Sequence, residues 1–402
     1  MSHIAVIGAG QAAATLVAEL RKQGFDGDIT IFGDEPVPPY QRPPQSKAYL
    51  LGDMAMDRLY LRPAEWYAEN NITLRLGARV DGIDTAAKTL LVGDQSIAFD
   101  QLALTTGSTP RTLPAAIGGD LDGVYTVRTL ADIDAIAPHA TEGRRILIVG
   151  GGYIGLEAAA VCAKRQMQVT LVEAAPRILG RVAAPETADY FRALHQSHGV
   201  DIREGIGLAR LIGANGHVTQ AELADGTMLD VDLVIVGVGI TPNDGLAESA
   251  GITLDNGIAV DIKGQTNVPG IWAAGDCASF PYKGKRMRLE SVQNAIDQSL
   301  TVARNMLGAD QDYLPMPWFW SDQYDTKLQI AGLSTGYDNI VTRDSGAGAV
   351  SYWYYAGDTL LAVDAMNDPR AYMVGKRLIE NGKSPAKEVV GNPETELKAL
   401  LK

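Results

Sequence analysis

Apolar positions near the start of the chain follow two periods in succession, and the change of period predicts a strand, a helix and a second strand. The apolar run 3–7 has the length of a buried strand, the alanine-rich stretch at about 11–23 has helical spacing, and 29–32 is again strand-like. The same order returns later in the chain. The apolar run Ile146–Val149 precedes a second helical pattern, and a strand follows at 169–172. The sequence therefore predicts one strand–helix–strand unit that is present twice.

A glycine-rich turn joins the first strand to the helix in each unit. The first glycine of such a turn permits the tight bend, the second lets a pyrophosphate approach the backbone, and the third position lets helix and strand pack closely. The helix N-terminus then offers free N–H groups and a dipole that favour an anion. The pattern is typical of a dinucleotide-binding site. Its positions are Gly8, Gly10 and Ala13 in the first unit and Gly150, Gly152 and Gly155 in the second.

An acidic residue follows the second strand of each unit, where a carboxylate can accept hydrogen bonds from a ribose diol. This residue is Glu35 in the first unit and Glu173 in the second. A carboxylate there repels a 2′-phosphate, so Glu173 favours a nucleotide without that group. Two complete units favour two nucleotide sites, and one site with a decayed repeat is the alternative.

Other patterns divide the remainder of the chain. The proline-rich stretch 36–44 predicts an irregular loop, because proline lacks a backbone donor and breaks helices. Buried strands are predicted near 102–106 and 233–239, and a helix over Val292–Met306. The end of the chain has strand-like runs at 327–331, 348–355 and 359–364 and a helical pattern near 369–381.

These elements predict an α/β fold with two Rossmann-like, doubly wound dinucleotide-binding domains and a small α+β C-terminal domain. A strand at 270–274 runs into Gly275-Asp276, a second turn suited to face a nucleotide. We therefore expect this segment to return to the first domain, so that the second domain is an insertion. The predicted domains are 1–109 and 236–315 for the first, 110–235 for the second, and 316–402 for the C-terminal domain.

Composition narrows the functional class. Among the 402 residues, 46% are hydrophobic and 21% are charged, which indicates a globular protein. The net charge of −13 argues against nucleic-acid binding that relies on overall charge. The two cysteines, Cys162 and Cys277, form no CxxC pair, so neither a redox dithiol nor a cysteine metal cluster is expected. The composition suits a reducing cytoplasm, and no apolar run reaches the length of a membrane span.

Several further motifs follow the fingerprints along the chain. They are Tyr40–Lys47, Thr105–Gly107, Gly275-Asp276, Glu290–Val292 and Trp318–Gln323. With both fingerprints, they resemble the FAD- and NADH-dependent ferredoxin reductases of bacterial oxygenase systems, the putidaredoxin reductase and biphenyl dioxygenase reductase type. The resemblance covers essentially the whole length. It implies a glutathione-reductase-like arrangement, although glutathione reductase relatives carry a cysteine pair where this chain has Arg42 and Lys47. Gln45 also departs from the leucine usual in the family.

The resemblance implies FAD in the first site. The proline-rich loop would bring Arg42 to a phosphate or a ring, which a guanidinium suits better than an ammonium. Asp276 would hold the flavin ribityl chain, with a turn-forming aspartate as the alternative. The FAD contacts implied are Gly8, Gly10, Ala13, Glu35, Arg42, Lys47, Val80, Thr106, Gly107, an arginine at position 127, Asp276, Glu290, Val292 and Trp320.

The resemblance implies NADH in the second site. Arg181 follows Glu173 closely and could contact phosphates, with a solvated loop charge as the alternative. The NADH contacts implied are Gly150, Gly152, Tyr153, Ile154, Gly155, Glu173, Arg181 and Gly239.

Three residues are expected to act in catalysis. In the family, a lysine and a glutamate at the positions of Lys47 and Glu157 pair beside the reactive flavin nitrogen, where a cation favours the anionic reduced flavin. A surface helix charge is the alternative for Glu157. Trp320 is expected to cover the flavin edge, while Trp318 fits that role and a core position equally well.

The implied partner is a [2Fe-2S] ferredoxin that supplies an oxygenase or haem monooxygenase, while nucleic acid and membrane insertion are not expected. The segment 283–288 carries four cations and could steer an acidic carrier or be an ordinary solvated loop. The alternatives on the same scaffold are a rubredoxin reductase, a monodehydroascorbate reductase, or an apoptosis-inducing-factor-like protein that senses NADH.

His195 and His198 stand three residues apart, which is a helical spacing. No set of carboxylates accompanies them in a metal-binding pattern, so we expect a surface helix and no metal site.

Overall fold

The computed structural model describes residues 2–402 and divides the chain into two compact units. Unit 1 comprises the segment up to Pro44 together with Met54–Thr109 and Ile240–Pro315. Unit 2 comprises Gln45–Asp53, Pro110–Gly239 and Met316–Lys402. Each unit is thus assembled from three separate stretches of chain.

A five-stranded parallel sheet forms the centre of unit 1. Its strands lie in the order Ile271–Ala273, Gln101–Leu104, His3–Ile7, Asp28–Phe32, Ile72–Arg75. The strand His3–Ile7 has its successor on one side and a much later strand on the other. This reversal of strand order creates a topological switch point, where open α/β sheets bind their ligands beyond the carboxyl ends of the strands.

Two helices cover one face of this sheet. Gln11–Lys22 and Val292–Met306 pack against each other and bury their apolar sides against the strands. The other elements of unit 1 are the helices Ala64–Glu69 and Gly245–Ser249, the 3-10 turn Met56–Leu59, and the strands Gly82–Asp84, Thr89–Val92, Gln95–Ala98, Ile240–Pro242, Ile258–Ala259, Ala278–Tyr282 and Lys285–Met287. A further strand, Ser108–Pro110, stands where the chain leaves this unit.

A second five-stranded parallel sheet forms part of unit 2. Its strands lie in the order Asp201–Glu204, Gln168–Glu173, Arg145–Val149, Leu233–Val236, Val124–Tyr125. The alanine-rich helix Tyr153–Lys164 follows its central strand. The other elements are the helices Leu130–Ile136 and Pro185–Ser197, the short helical turns Gln45–Tyr49 and Ala115–Ile117, and an antiparallel sheet of Leu208–Ala214, His217–Leu223 and Met228–Asp230.

The C-terminal part of unit 2 is a five-stranded antiparallel sheet. Its strands lie in the order Trp318–Gln323, Thr326–Gly332, Thr359–Met366, Ala349–Ala356, Asn339–Gly346. The helix Pro369–Glu380 packs on this sheet, and the short helices Lys387–Gly391 and Leu397–Leu401 close the chain.

The predicted fold class is confirmed, and so is the predicted helix Val292–Met306. The strand expected over 102–106 ends earlier, at Leu104, and the Thr105 hydroxyl donates to the carbonyl oxygens of Ile7 and Gly8. The edge strand Asn339–Gly346 was not predicted, since its polar sequence lacks an apolar alternation. The buried Arg343 of this strand holds the segment 390–395 in place. Its guanidinium donates to the carbonyl oxygens of Val390, Asn392, Pro393 and Thr395. None of the helices in residues 2–402 combines the length and apolar character needed to cross a membrane.

A buried carboxyl lies between the C-terminal sheet and the helix Pro185–Ser197. Asp364 accepts hydrogen bonds from the hydroxyls of Tyr354 and Thr187, the latter at 2.7 Å. Burial raises the pKa of Asp364 to about 6, although the two hydroxyls oppose the shift. The raised pKa means that Asp364 stabilises the fold when it is protonated. This contribution is complete below about pH 4 and is lost as the pH rises through 6, for a total of about 3 kcal/mol.

We expect Asp364→Asn to remove this pH dependence, because the amide cannot ionise. Between about pH 5 and pH 8, the wild-type free energy of unfolding should fall by roughly 1.5 kcal/mol relative to that of the variant. Denaturant titrations at both pH values measure this difference. The exposed Asp358→Asn, on the same hairpin, is the matched control and should change nothing. A wild-type protein and an Asp364→Asn variant with parallel pH profiles would contradict the assignment.

Candidate functional site

The first fingerprint has the geometry of a phosphate cradle. Gly8 has φ +103°, and a Cβ there would lie 2.3 Å from the Thr105 carbonyl oxygen, so the tight turn needs a glycine. Gly10 differs, because it has φ −106° and a Cβ would meet no protein atom within 4 Å. The protein itself therefore gives no reason for glycine at position 10. Open space at a helix N-terminus fits an approaching pyrophosphate. Ala13 lies buried in the helix behind it.

Glu35 is held by two side chains of the proline-rich loop. It accepts from the Tyr40 hydroxyl and from the Arg42 guanidinium, both at 2.7 Å. Burial would lower the pKa of Arg42, but Tyr40, Glu35 and Asp276 outweigh it and raise that pKa. The loop thus presents a half-buried, permanently charged guanidinium beside the first fingerprint's acid.

The loop after the strand Gln101–Leu104 is held by hydrogen bonds to a later segment of the same unit. The Thr106 hydroxyl donates to the Asn243 carbonyl oxygen at 2.6 Å, and the Asn243 side chain donates to the Thr106 carbonyl oxygen at 2.8 Å. Asp276 accepts from the Ser108 hydroxyl at 3.0 Å. Unit 1 therefore brings Thr106, Gly107 and Asp276 to the carboxyl end of its sheet.

The remaining residues expected around the first nucleotide divide between the units. Val80, Glu290 and Val292 belong to unit 1, where Val80 is buried and Val292 begins a helix. Lys47 and Trp320 belong to unit 2. The prediction of an arginine at position 127 is wrong, because that position holds Val127 and the arginine is the next residue in the chain. That neighbour, Arg128, also belongs to unit 2, and its carbonyl oxygen accepts from the Gln45 side chain at 2.8 Å.

The second fingerprint repeats the geometry of the first. Gly150 has φ +110°, and a Cβ there would lie 2.4 Å from the Gly237 carbonyl oxygen. A Cβ at Gly155 would lie 2.0 Å from the Gly150 carbonyl oxygen, so helix and strand touch at this point. Gly152, with φ −80°, again faces open space in which a Cβ would meet nothing within 4 Å. The cradle therefore fits a second pyrophosphate.

Glu173 is locked to the second cradle. One of its oxygens accepts from the Gly151 N–H and the other from the Ala175 N–H, both at 2.7 Å. Arg177 is bound to its own loop, since it donates to the Ala183 carbonyl oxygen at 2.8 Å. Arg181 is exposed. A carboxylate is thus fixed where a nucleotide ribose is expected, and one of the two neighbouring arginines is already engaged.

Three other residues expected at the second site differ in what they present. Ile154 is exposed at the first turn of the helix, and Gly239 has φ +103° with open space around it. The Tyr153 hydroxyl is buried without a hydrogen-bond partner, and its ring packs against Phe319 at 4.8 Å. Burial raises the pKa of Tyr153 well above its usual value. Its hydroxyl therefore points into the protein, which leaves the backbone and the ring edge for a nucleotide.

Lys47 and Glu157 form an ion pair within unit 2, in which Glu157 is buried and Lys47 is partly buried. The Lys47 Nζ lies 2.8 Å from Glu157 Oε1, and the same oxygen accepts from the Ser321 hydroxyl at 2.7 Å. Burial raises the pKa of Glu157, while Lys47 and Ser321 favour its charged form. The alternative of a surface helix charge is therefore wrong for Glu157. Sequence reasoning missed Ser321, for which the alternation along Trp318–Gln323 was the available signal.

The two tryptophans lie on the same side of the strand Trp318–Gln323. Their ring centroids are 5.6 Å apart, and Trp318 also packs against Tyr372 at 6.1 Å in the core of the C-terminal region. Trp318 thus packs against the core of the C-terminal region, and both tryptophans are half-buried.

The basic segment 283–288 is partly structural. Arg286 donates to the carbonyl oxygens of Val260 and Ser279, and Arg288 pairs with Glu290 at 2.6 Å. Lys283 and Lys285 are exposed, and the Lys283 ammonium lies over the Tyr282 ring at 5.3 Å. A docking role for this segment therefore depends on two lysines.

The histidine pair corrects an expectation. His195 is fully buried rather than on a surface helix face, and burial lowers its pKa to about 4. His198 is exposed and stacks on Tyr324 at 3.7 Å. Within residues 2–402, His, Cys, Asp and Glu side chains form no group of three that could hold a metal ion.

We expect Gly152→Ala and Gly155→Ala to separate binding from folding. Gly152→Ala should leave the free energy of unfolding within about 0.5 kcal/mol of wild type but weaken nucleotide binding at the second fingerprint about tenfold or more, because the methyl group occupies phosphate space. Gly155→Ala should destabilise the protein by about 2 kcal/mol, because its Cβ meets backbone. Titration calorimetry and thermal unfolding measure the two effects. An unchanged nucleotide affinity in a folded Gly152→Ala variant would refute the cradle.

Comparison with known proteins places this geometry in a family. The model of the pyridine nucleotide-disulphide oxidoreductases matches residues 2–299, and the reductase C-terminal model matches 318–401. A ferredoxin–NAD(P)(+) reductase from Sphingomonas sp is 42% identical over 94% of this chain and 92% of its own. Rhodocoxin reductase from Rhodococcus erythropolis is 39% identical over 99% and 94%.

A solved structure extends the similarity to three dimensions. Putidaredoxin reductase, crystallised as a covalent complex with putidaredoxin, matches with a TM-score of 0.96 and 38% identity over 100% of this chain and 98% of that one. Membership of this group implies that the chain binds FAD and NAD(P)H. The chain belongs to the pyridine nucleotide-disulphide oxidoreductase family and, within it, to the ferredoxin reductases.

Proposed function

We propose that this protein oxidises NADH and reduces a [2Fe-2S] ferredoxin that serves an oxygenase or haem monooxygenase. One NADH gives up a hydride, which carries two electrons, and becomes NAD⁺. Two ferredoxin clusters each take one electron, and one proton is released. FAD, when bound at the first cradle, supplies the conversion between two-electron and one-electron chemistry.

The state of the cysteines carries this proposal. Many family relatives pass electrons through a disulfide, but Cys162 and Cys277 are both free and buried. Burial raises the pKa of Cys162 to about 12 and also raises the pKa of Cys277. Both thiols therefore stay protonated and unreactive, since the thiolate is the reactive form. Electrons that enter from NADH have no thiol route out, which leaves a separate electron carrier as the acceptor. The reduced cysteines also support a cytoplasmic location.

Within unit 2, the residues divide the work. We assign the pyrophosphate of NADH to the cradle at Gly150–Gly155 and its ribose diol to Glu173. The Lys47–Glu157 pair serves the flavin-reduction step by keeping a cation in place for the negative charge that develops. Asp276 and Arg42 of unit 1 belong to the FAD site, and Trp320 stays an expected flavin contact.

The decisive experiment measures NADH oxidation with a panel of acceptors. The purified protein should be yellow, lose its flavin absorbance with NADH, and turn over fastest with a [2Fe-2S] ferredoxin rather than with rubredoxin or oxygen. A colourless protein would refute the FAD site. Bleaching by NADH without turnover on any carrier would instead indicate an NADH-sensing protein, and a clear preference for rubredoxin would reassign the partner.

The preference for NADH over NADPH rests on Glu173. We expect Glu173→Gln to raise the ratio of kcat/KM for NADPH to that for NADH by about tenfold, equivalent to about 1.4 kcal/mol. The amide keeps an acceptor for the Gly151 N–H but removes the charge that repels a 2′-phosphate. Glu222→Gln, on a hairpin of the same unit, is the control. An unchanged ratio in Glu173→Gln would assign the selectivity to another residue.

A further inference from the structure

A line of buried hydrogen bonds leads away from the Lys47–Glu157 pair. Ser321 and Gln323 lie two residues apart on one strand, so both side chains point to the same face, and both are buried. The Ser321 hydroxyl contacts Glu157 Oε1 at 2.7 Å, and Gln323 Nε2 lies 3.1 Å from Ser321 Oγ. The ion pair is thus the end of a longer side-chain network.

The network continues through a buried imidazole. His195 Nε2 lies 2.7 Å from Gln323 Oε1, and the Tyr324 hydroxyl lies 3.1 Å from His195 Nδ1. Exposed His198 stacks on the Tyr324 ring. Five side chains therefore connect a buried carboxylate to the protein surface.

The charge of Glu157 sets the direction of every bond. A carboxylate only accepts, so the Ser321 hydroxyl must donate to it and must itself accept from the Gln323 amide N–H. The Gln323 carbonyl oxygen then faces His195, whose Nε2–H donates. Burial lowers the pKa of His195 to about 4, so the ring is neutral near pH 7 and its Nδ1 accepts from the Tyr324 hydroxyl. All four donors point toward Glu157.

We propose that Ser321, Gln323 and His195 are positioning residues that keep the Glu157 carboxylate charged and aimed at Lys47. This proposal rests on the proposed function, in which that ion pair serves flavin reduction. Hydrogen bonds aligned in one direction polarise one another, so each donor strengthens the next. The network offsets part of the desolvation that burial imposes on Glu157 and leaves one orientation for the Lys47 ammonium.

The groups that face the network define its pH response. Glu157 faces Lys47 from the segment Gln45–Asp53, and Asp322, on the Ser321 strand, raises its pKa. His195 faces Gln323, Tyr324 and His198, and Cys162 lies close enough to influence Tyr324. Lys47 alone among these groups opposes protonation of Glu157 by its charge, and the Ser321 hydroxyl does so by its hydrogen bond. Removing that hydroxyl should therefore let Glu157 take up a proton at higher pH.

The test compares Ser321→Ala with Ser321→Thr, which restores the hydroxyl. We measure the titration of the Glu157 carboxyl by ¹³C NMR, with Glu157→Gln to assign the signal, and the pH dependence of flavin reduction by NADH in anaerobic stopped flow. Ser321→Ala should raise the midpoint of the carboxyl titration and the acid limb of the rate profile by about one pH unit. Ser321→Thr should return both toward wild type.

The control is Ser351→Ala, which removes another fully buried serine from the same sheet. The Ser351 hydroxyl accepts from Trp353 Nε1 at 3.0 Å and has no bond to this network. The Ser351→Ala variant should leave both the carboxyl titration and the rate profile unchanged. If Ser351→Ala moved them as far as Ser321→Ala, or if Ser321→Ala moved neither, the positioning role would be refuted.

A second variant guards against a Ser321→Ala protein that does not fold. Gln323→Met keeps the volume of the side chain but removes its amide, so it should shift both readouts in the same direction by a smaller amount. It should also change the ¹⁵N signature of the His195 Nε2–H tautomer. An unaltered carboxyl titration in Gln323→Met would refute the part of the hydrogen-bond network that lies beyond Ser321. If NADH fails to reduce the flavin of the wild type, the proposed function falls, while the carboxyl titration still decides this inference.

Discussion

Both nucleotide cradles depend on close contacts between backbone segments, which are possible because glycine has no Cβ atom. At Gly155, the helix lies so near the preceding turn that a single added carbon would fall 2.0 Å from a carbonyl oxygen. At Gly8 and Gly150, the backbone adopts positive φ angles beside another carbonyl group. These contacts bring a helix N-terminus to the carboxyl end of a parallel sheet, where its unpaired N–H groups and dipole face outward. The open positions Gly10 and Gly152 then have a role only if a ligand fills the space.

A second constraint is the cost of burying charge. An isolated carboxylate in the interior would take up a proton, because desolvation penalises its charged form. At Glu157 an ammonium and a hydroxyl on one oxygen oppose this protonation, and the Ser321 hydroxyl in turn contacts Gln323, which contacts His195. Asp364 has hydroxyl donors but no cation, and burial raises its pKa to about 6. Two buried acids of the same unit thus differ in what opposes their protonation, because Glu157 has a cation and a hydroxyl as partners and Asp364 has hydroxyls.

The proposed route of the electrons depends on the state of the two cysteines. This chain belongs to the pyridine nucleotide-disulphide oxidoreductases, but its two cysteines form no disulfide. Both are buried thiols whose pKa is raised. Part of the basic segment 283–288 holds its own hairpin, so a docking role for this segment depends on Lys283 and Lys285. The proposed chemistry therefore rests on the two cradles and on the Lys47–Glu157 ion pair.

The sequence by itself determined the features that depend on local geometry. Both fingerprints, their acids Glu35 and Glu173, the helix Val292–Met306 and the fold class could be predicted, because glycine turns and apolar periods act over a few residues. The edge strand Asn339–Gly346 could not, since its polar sequence lacks an apolar alternation and the strand forms by pairing with Ala349–Ala356.

Only the tertiary structure decided the state of the buried polar groups. The family resemblance paired Lys47 with Glu157, but the folded chain was needed to show the burial of Glu157 and the hydrogen-bond network that continues from it. Sequence periodicity placed His195 on a surface helix, whereas packing buries it against Gln323, 128 residues further along the chain. Hydrophobic patterns report which face of an element is apolar, but the protonation and direction of a buried hydrogen bond depend on partners that only folding brings together.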